Sequence, residues 1–171
     1  LMPFEIYRLI AKFDLVAITS DGKALIFDWK TSRGQPPHDW LESRLQTHVY
    51  PYILASAGAS LNQGKPIPPS QIEMIYWYAN SPETPERFPY DESRFEEDRQ
   101  MITDMIGEIA GLAGAEEFPL TDDERKCRYC VYRSLDDRGV EAGDSADFID
   151  PTEGDQGDLT VDFDQIAEIE F

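Results

Sequence analysis

Three ionisable side chains stand inside otherwise apolar runs: Asp14 in the run that ends at Ile18, and Asp28 and Lys30 in the run from Ala24 to Thr31. A carboxylate in a buried strand needs a partner. Two carboxylates held within ~5 Å of each other repel unless a cation or a proton intervenes, and a divalent metal is the economical explanation. With two carboxylates and a backbone carbonyl as ligands, a hard cation such as Mg²⁺ keeps several waters and accepts phosphate oxygens. Water bound there becomes more acidic, charge on phosphoryl oxygens is stabilised, and Lys30 is placed to orient or deprotonate the nucleophile. The competing readings are a charged surface hairpin and a structural Asp28–Lys30 ion pair; Asp-x-Lys alone occurs by chance in many proteins.

The three side chains share a site only if the strands pair in one register. Thr19-Ser20-Asp21-Gly22-Lys23 lies between the two runs and predicts a β-hairpin. A two-residue loop at Asp21-Gly22 would set Asp14 opposite Trp29. A three-residue loop, Ser20-Asp21-Gly22, with Gly22 left-handed, pairs Thr19 with Lys23 and sets Asp14 opposite Asp28. Lys30 then joins them, since side chains at i and i+2 of a strand point the same way.

The remaining elements must hold this hairpin. Residues 4–18 read as a central strand covered on both faces, and Ala24 to Thr31 as its partner. After Arg33-Gly34-Gln35-Pro36-Pro37, a helix of about twenty residues is predicted from His38 or Asp39 to Ala57, on Leu41, Leu45, Val49, Tyr52 and Ile53, with a kink or break near Tyr50 caused by Pro51. Gln71 to Ala79 predicts a third strand, and Glu86 to Tyr90 a short return strand. Residues 91–115 predict a second long helix capped by Asp91 or Ser93. Helical spacing puts Gln46 and Tyr50 on one face, able to point at the sheet edge, although taken alone the pair reads equally as an amphipathic rim. His48 points elsewhere and reads as a surface residue.

Phe13-Asp14-Leu15-Val16, Phe27-Asp28-Trp29-Lys30-Thr31 and Gln46-Thr47-His48-Val49-Tyr50, in that order, resemble the acidic motifs and the Gln-x-x-x-Tyr helix motif of the PD-(D/E)XK nuclease superfamily. The resemblance runs from about Arg8 to Gly139. It is nearest the RecB-type branch, which includes CRISPR-associated adaptation nucleases. It implies an α/β fold with a mixed central β-sheet flanked by helices, a restriction-endonuclease-like core. It also implies that Asp14, Asp28 and the Trp29 backbone carbonyl hold Mg²⁺ or Mn²⁺, that Lys30 is catalytic, and that Gln46 and Tyr50 lie beside the site. The family fold usually opens with a helix carrying a further acidic or histidine residue. No counterpart is evident before Asp14, so the chain is expected to be the C-terminal piece of a longer nuclease domain.

Composition sets the remaining bounds. A length of 171 residues suits one domain with a core, here residues 1–139, and an acidic C-terminal extension at 140–171. The net charge of -19 is uneven: 13 acidic residues and one Arg lie from Asp136 onward. Such a tail reads as a solvated extension. Lys12, Lys30, Arg33, Arg44, Arg128 and Arg133 supply a few phosphate contacts, not a basic face. Trp40, Tyr50 and Tyr129 are candidates for stacking on single-stranded bases, or else core and rim. DNA, single- or double-stranded, is the expected partner, with a helicase or another repair or defence protein beside it. No apolar run approaches the ~18 residues of a membrane span and no signal peptide is visible, so a cytoplasmic protein is expected. Cys127 and Cys130 are the only cysteines. Asp136 stands where cluster-bearing members of the resembled branch carry a third, so an iron-sulfur cluster is not expected and reduced, packed thiols are. The alternative function is a non-catalytic nuclease-fold module that binds DNA or protein within a larger enzyme.

Overall fold

A computed structural model of the chain describes residues 7–31, 34–112, 120–123, 127, 130, 132–135 and 137–139. The expected extension at 140–171, and the predicted helix end beyond residue 112, lie outside the described residues.

The hairpin forms around Ser20-Asp21-Gly22. Strands β1 (Leu15–Ile18) and β2 (Ala24–Lys30) pair antiparallel with Leu15 opposite Phe27 and Ile18 opposite Ala24. The Thr19 N–H donates to the Lys23 carbonyl at 2.8 Å, and the Gly22 N–H to the Thr19 carbonyl at 2.9 Å. Gly22 takes φ +89°, a backbone that a Cβ would strain. The Thr19 hydroxyl locks the loop by bonding Asp21 at 2.5 Å. Continued by one residue, this register sets Asp14 opposite Asp28.

After β2 the chain crosses over through helices α1 (His38–Glu42) and α2 (Leu45–Ala57), then 3-10 turns at Gly58–Asn62 and Pro69–Gln71. It returns as β3 (Ile72–Tyr78), parallel to β2. A parallel pair requires such a crossover. Strand β4 (Glu86–Pro89) folds back antiparallel on β3, and α3 (Glu92–Leu112) follows. The sheet order is β1-β2-β3-β4, a mixed four-stranded sheet flanked by helices.

Two expectations are corrected here. Among the described residues the first strand spans Leu15–Ile18 and lies at the edge of the sheet; Leu15 is exposed, and the central, covered strands are β2 and β3. Its apolar residues suggested two covered faces because Phe13, Val16 and Ile18 do pack on the core, while among the described residues β2 alone supplies its ladder. The helix break is at Ser43-Arg44 rather than near Tyr50. Arg44 is extended (φ -71°, ψ 137°), and the Leu41 carbonyl accepts both the Arg44 N–H (3.2 Å) and the Thr47 hydroxyl (2.5 Å), which ends one helix and starts the next. Pro51 stays inside α2; the helix gives up one N–H donor there, and burial of the ring offsets the loss.

The core lies between one sheet face and α1 and α2. Ala24 and Ile26 of β2, and Ile72, Met74, Tyr76 and Tyr78 of β3, all at even positions, meet Leu41 and Leu54. Leu45, predicted to face inward, is exposed because the break at Arg44 resets the phase of the helix. Helix α3 packs on α2, with Phe95 stacked on Tyr52 at 5.2 Å between centroids. The Asp91 carboxylate caps it by accepting the Arg94 N–H at 2.9 Å.

Candidate active site

The core-facing side of β2 changes character at its C-terminal end. Ala24 and Ile26 are followed by Asp28 and Lys30, and both charged residues remain buried. Their side chains form an ion pair, Lys30 Nζ to Asp28 Oδ2 at 2.9 Å. Gln46, in the first turn of α2, closes the group: its amide donates to Asp28 Oδ1 at 2.5 Å and accepts from Lys30 Nζ at 3.5 Å. Lys30 also lies over the Tyr76 ring, 5.6 Å from the centroid, since the parallel register sets Tyr76 beside Asp28. The Tyr76 hydroxyl shares a 2.8 Å hydrogen bond with Thr47, so the floor of the site is joined to the α1/α2 break.

Asp14 reaches the same end of the sheet from the exposed side. One of its carboxylate oxygens accepts the Trp29 N–H at 2.8 Å. In an extended strand a residue's N–H and C=O point to the same side, so the Trp29 carbonyl also faces the side of β2 from which Asp14 approaches. The Lys30 carbonyl is turned the other way, accepting the Ala79 N–H at 3.0 Å. Asp14, the Trp29 carbonyl and Asp28 thus bracket the strand end. Tyr50 does not enter this group: its hydroxyl donates to the Lys12 carbonyl at 2.7 Å, and its ring meets Phe13 edge-on at 5.1 Å. It holds the two residues that lead into Asp14.

Burial pushes the Asp28 carboxyl above the usual carboxylate range; Lys30 opposes that rise, and the nearby Asp14 charge adds to it. Asp28 Oδ2, though in ion-pair contact with Lys30, has no aligned hydrogen bond, so this buried oxygen keeps lone pairs for a cation. Among the described residues no three His, Cys, Asp or Glu side chains gather as a metal cluster. Any ion here relies on the two carboxylates, main-chain oxygen, water and substrate, a set of hard oxygen donors that Mg²⁺ and Mn²⁺ accept.

A model of the PD-(D/E)XK nuclease superfamily matches residues 2–135, a span that includes both acidic positions, Lys30, Gln46 and the whole sheet. The chain belongs to that superfamily. No curated protein and no solved structure matches it significantly. The mixed sheet and flanking helices are consistent with the restriction-endonuclease-like fold, and superfamily membership suggests a nuclease that uses a divalent metal ion.

Several residues stand apart from this PD-(D/E)XK site. His48 is not a simple surface residue: its Nδ1 lies 2.7 Å from Oδ1 of the buried Asp98 on α3, whose other oxygen accepts the Tyr90 hydroxyl at 2.9 Å. Cys127 and Cys130 are free thiols, and Arg138 lies 3.4 Å from Cys127 Sγ. Arg33, Arg128, Tyr129 and Asp136 lie outside the described residues. Tyr76, Thr47 and Asp98 carried no signal in the sequence, because their parts depend on which strands and helices become neighbours. No helix among the described residues is long and apolar enough to cross a membrane.

Proposed function

We propose that this protein is a Mg²⁺- or Mn²⁺-dependent deoxyribonuclease of the RecB-type branch, hydrolysing phosphodiester bonds in DNA repair, recombination or defence. The observation that carries the proposal is the hairpin register, which brings Asp14 and Asp28 to one strand end beside Lys30 and Gln46. In this reading Asp14, Asp28 and the Trp29 carbonyl hold the ion. When bound, the cation supplies an acidified water and neutralises charge on the scissile phosphate. Lys30, held by Asp28, Gln46 and the Tyr76 ring, turns its ammonium toward the attacking water and the phosphoryl oxygens as negative charge develops. Gln46 sets the orientation of both neighbours. Tyr50 acts at one remove, by fixing the Lys12-Phe13 segment that presents Asp14. Single- or double-stranded DNA is the substrate, and a helicase or other repair or defence protein is the partner that would bring it to a protein of net charge -19.

One observation favours a second reading, a non-catalytic DNA- or protein-binding module: the Asp28 charge is already opposed within the chain by Lys30 at 2.9 Å and by the Gln46 amide on its other oxygen. The two readings part on one experiment. Plasmid and single-stranded DNA are incubated with the protein and Mg²⁺ or Mn²⁺, wild type against Lys30→Ala. The nuclease reading expects metal-dependent cleavage reduced about 10²–10⁴-fold in the variant. Cleavage by neither protein would leave the binding module.

A further inference from the structure

An apolar pocket of about 330 Å³ lies at the entrance to α1, lined by Gly34, Gln35, Pro36, Pro37 and Trp40. We propose that this pocket is a nucleobase subsite, which takes one unpaired base of the strand being cut between Pro36-Pro37 and the Trp40 indole, with Arg44 meeting the adjoining phosphate. The inference rests on the nuclease reading for its occupant. It adds a binding element, and a preference for single-stranded substrate, to the group around Asp28.

Three observations support it. The pocket is built rather than incidental. Gln35 donates to Glu86 Oε1 at 2.9 Å and to the Thr84 carbonyl at 3.1 Å, and His38 lies 2.7 Å from Glu86 Oε2 and stacks on Phe88 at 4.5 Å. With two consecutive prolines, whose φ is fixed, this wall keeps its shape without a ligand. Second, its chemistry is that of a nucleotide: an apolar slot with a flat indole, 41% exposed, and a guanidinium on the indole at 4.9 Å from the ring centroid. Stacking on aromatic rings and cation contacts are how single strands are held without reading their sequence.

Third, the pocket is tied to the site already described through Arg44, which lies on the Trp40 ring. Arg44 is the N-cap of α2, and Gln46 two residues on touches both Asp28 and Lys30. In a chain of net charge -19 a positive charge so placed has an evident use at a phosphate.

The test uses the Lys30→Ala protein with Mg²⁺ and a single-stranded oligothymidylate in which 5-iodouracil, or an abasic residue, is walked through successive positions. The proposal expects a photo-crosslink that maps to Trp40 from one position. It also expects an abasic residue at that position to weaken binding about tenfold. Trp40→Ala should lose the same tenfold, while Trp40→Phe, which keeps a flat ring and guards against a folding artefact, retains most of the affinity. Arg44→Ala should weaken binding of intact and abasic strands alike. Equal binding of intact and abasic strands by wild type and Trp40→Ala, or crosslinks only elsewhere, overturns the subsite and leaves the pocket to a protein partner. Binding through Trp40 without cleavage by the wild type would keep the subsite and remove the nuclease. Cleavage indifferent to Trp40 would do the reverse, and failure of any strand to bind overturns both.

Discussion

Gln46 on α2 donates its amide to Asp28 on β2 at 2.5 Å, and the same amide accepts from Lys30. One helix side chain thereby fixes two charged groups on a strand end, through atoms of opposite polarity. Gln46→Glu keeps the shape but replaces the donor with an acceptor that repels Asp28. Outer groups that orient metal ligands are worth about 10–100-fold in activity or metal affinity. A loss of that size is expected for both Gln46→Ala and Gln46→Glu in metal-dependent cleavage, and the Ala variant, which leaves the buried Asp28 Oδ1 without its donor, should also lose about 1–3 kcal/mol in urea unfolding. Wild-type activity in Gln46→Glu would show that the contact does not matter.

The Asp28–Lys30 pair is buried on both sides, so its members depend on each other more than they stabilise the fold. Removing one partner of a buried pair strands the other and costs about 3–5 kcal/mol. Asp28→Leu and Lys30→Met singly should each destabilise by that order in urea unfolding, whereas the double replacement should recover most of the loss. Additive effects would contradict the coupling.

His48 and Asp98 tie α2 to α3, with a pH dependence whose sign follows from the geometry. The hydrogen bond that the His48 imidazolium donates to Asp98 raises the His48 pKa above its usual range, against the opposing effect of burial. The pair's contribution is therefore complete below the unfolded value of about 6.5 and fades as pH rises through the folded one. The stability difference between wild type and His48→Gln should shrink as pH is raised from ~5.5 to ~8.5. A difference independent of pH would mean that His48 is held neutral.

Tyr50 acts on Asp14 through the chain. Tyr50→Phe removes the bond to the Lys12 carbonyl, worth about 0.5–1.5 kcal/mol, and keeps the contact with Phe13. Metal affinity is expected to fall a few-fold at unchanged kcat for bound metal. A lowered kcat at saturating metal would place Tyr50 on the substrate instead.

The hairpin was legible in the sequence because Asp21-Gly22 and the two apolar runs left few registers, and Gly22 decides between them at φ +89°. The placing of Asp14 opposite Asp28, with Lys30 beside them, followed from that register, whereas Gln46 was singled out by the resemblance of Gln46-Thr47-His48-Val49-Tyr50 to the family's helix motif, helical spacing alone leaving an amphipathic rim. What the sequence did not disclose depends on long-range pairing. Tyr76 becomes the floor of the site only because β2 and β3 run parallel in one register, and His48 meets Asp98 only after α3 docks. The edge position of β1 was hidden by its own apolar residues, which pack from an edge as well as from a centre. The break at Arg44 escaped notice because a Thr47 hydroxyl, rather than Pro51, ends the first helix.

The central claim is that Asp14 and Asp28 form one cation site. The most direct measurement is a calorimetric titration of Mn²⁺ into wild type, Asp14→Asn and Asp28→Ala, with folding of each checked by circular dichroism. The account predicts one site in the wild type that Asp28→Ala abolishes and Asp14→Asn weakens. Mn²⁺ binding unchanged by either substitution, or absent from the folded wild type, would contradict it.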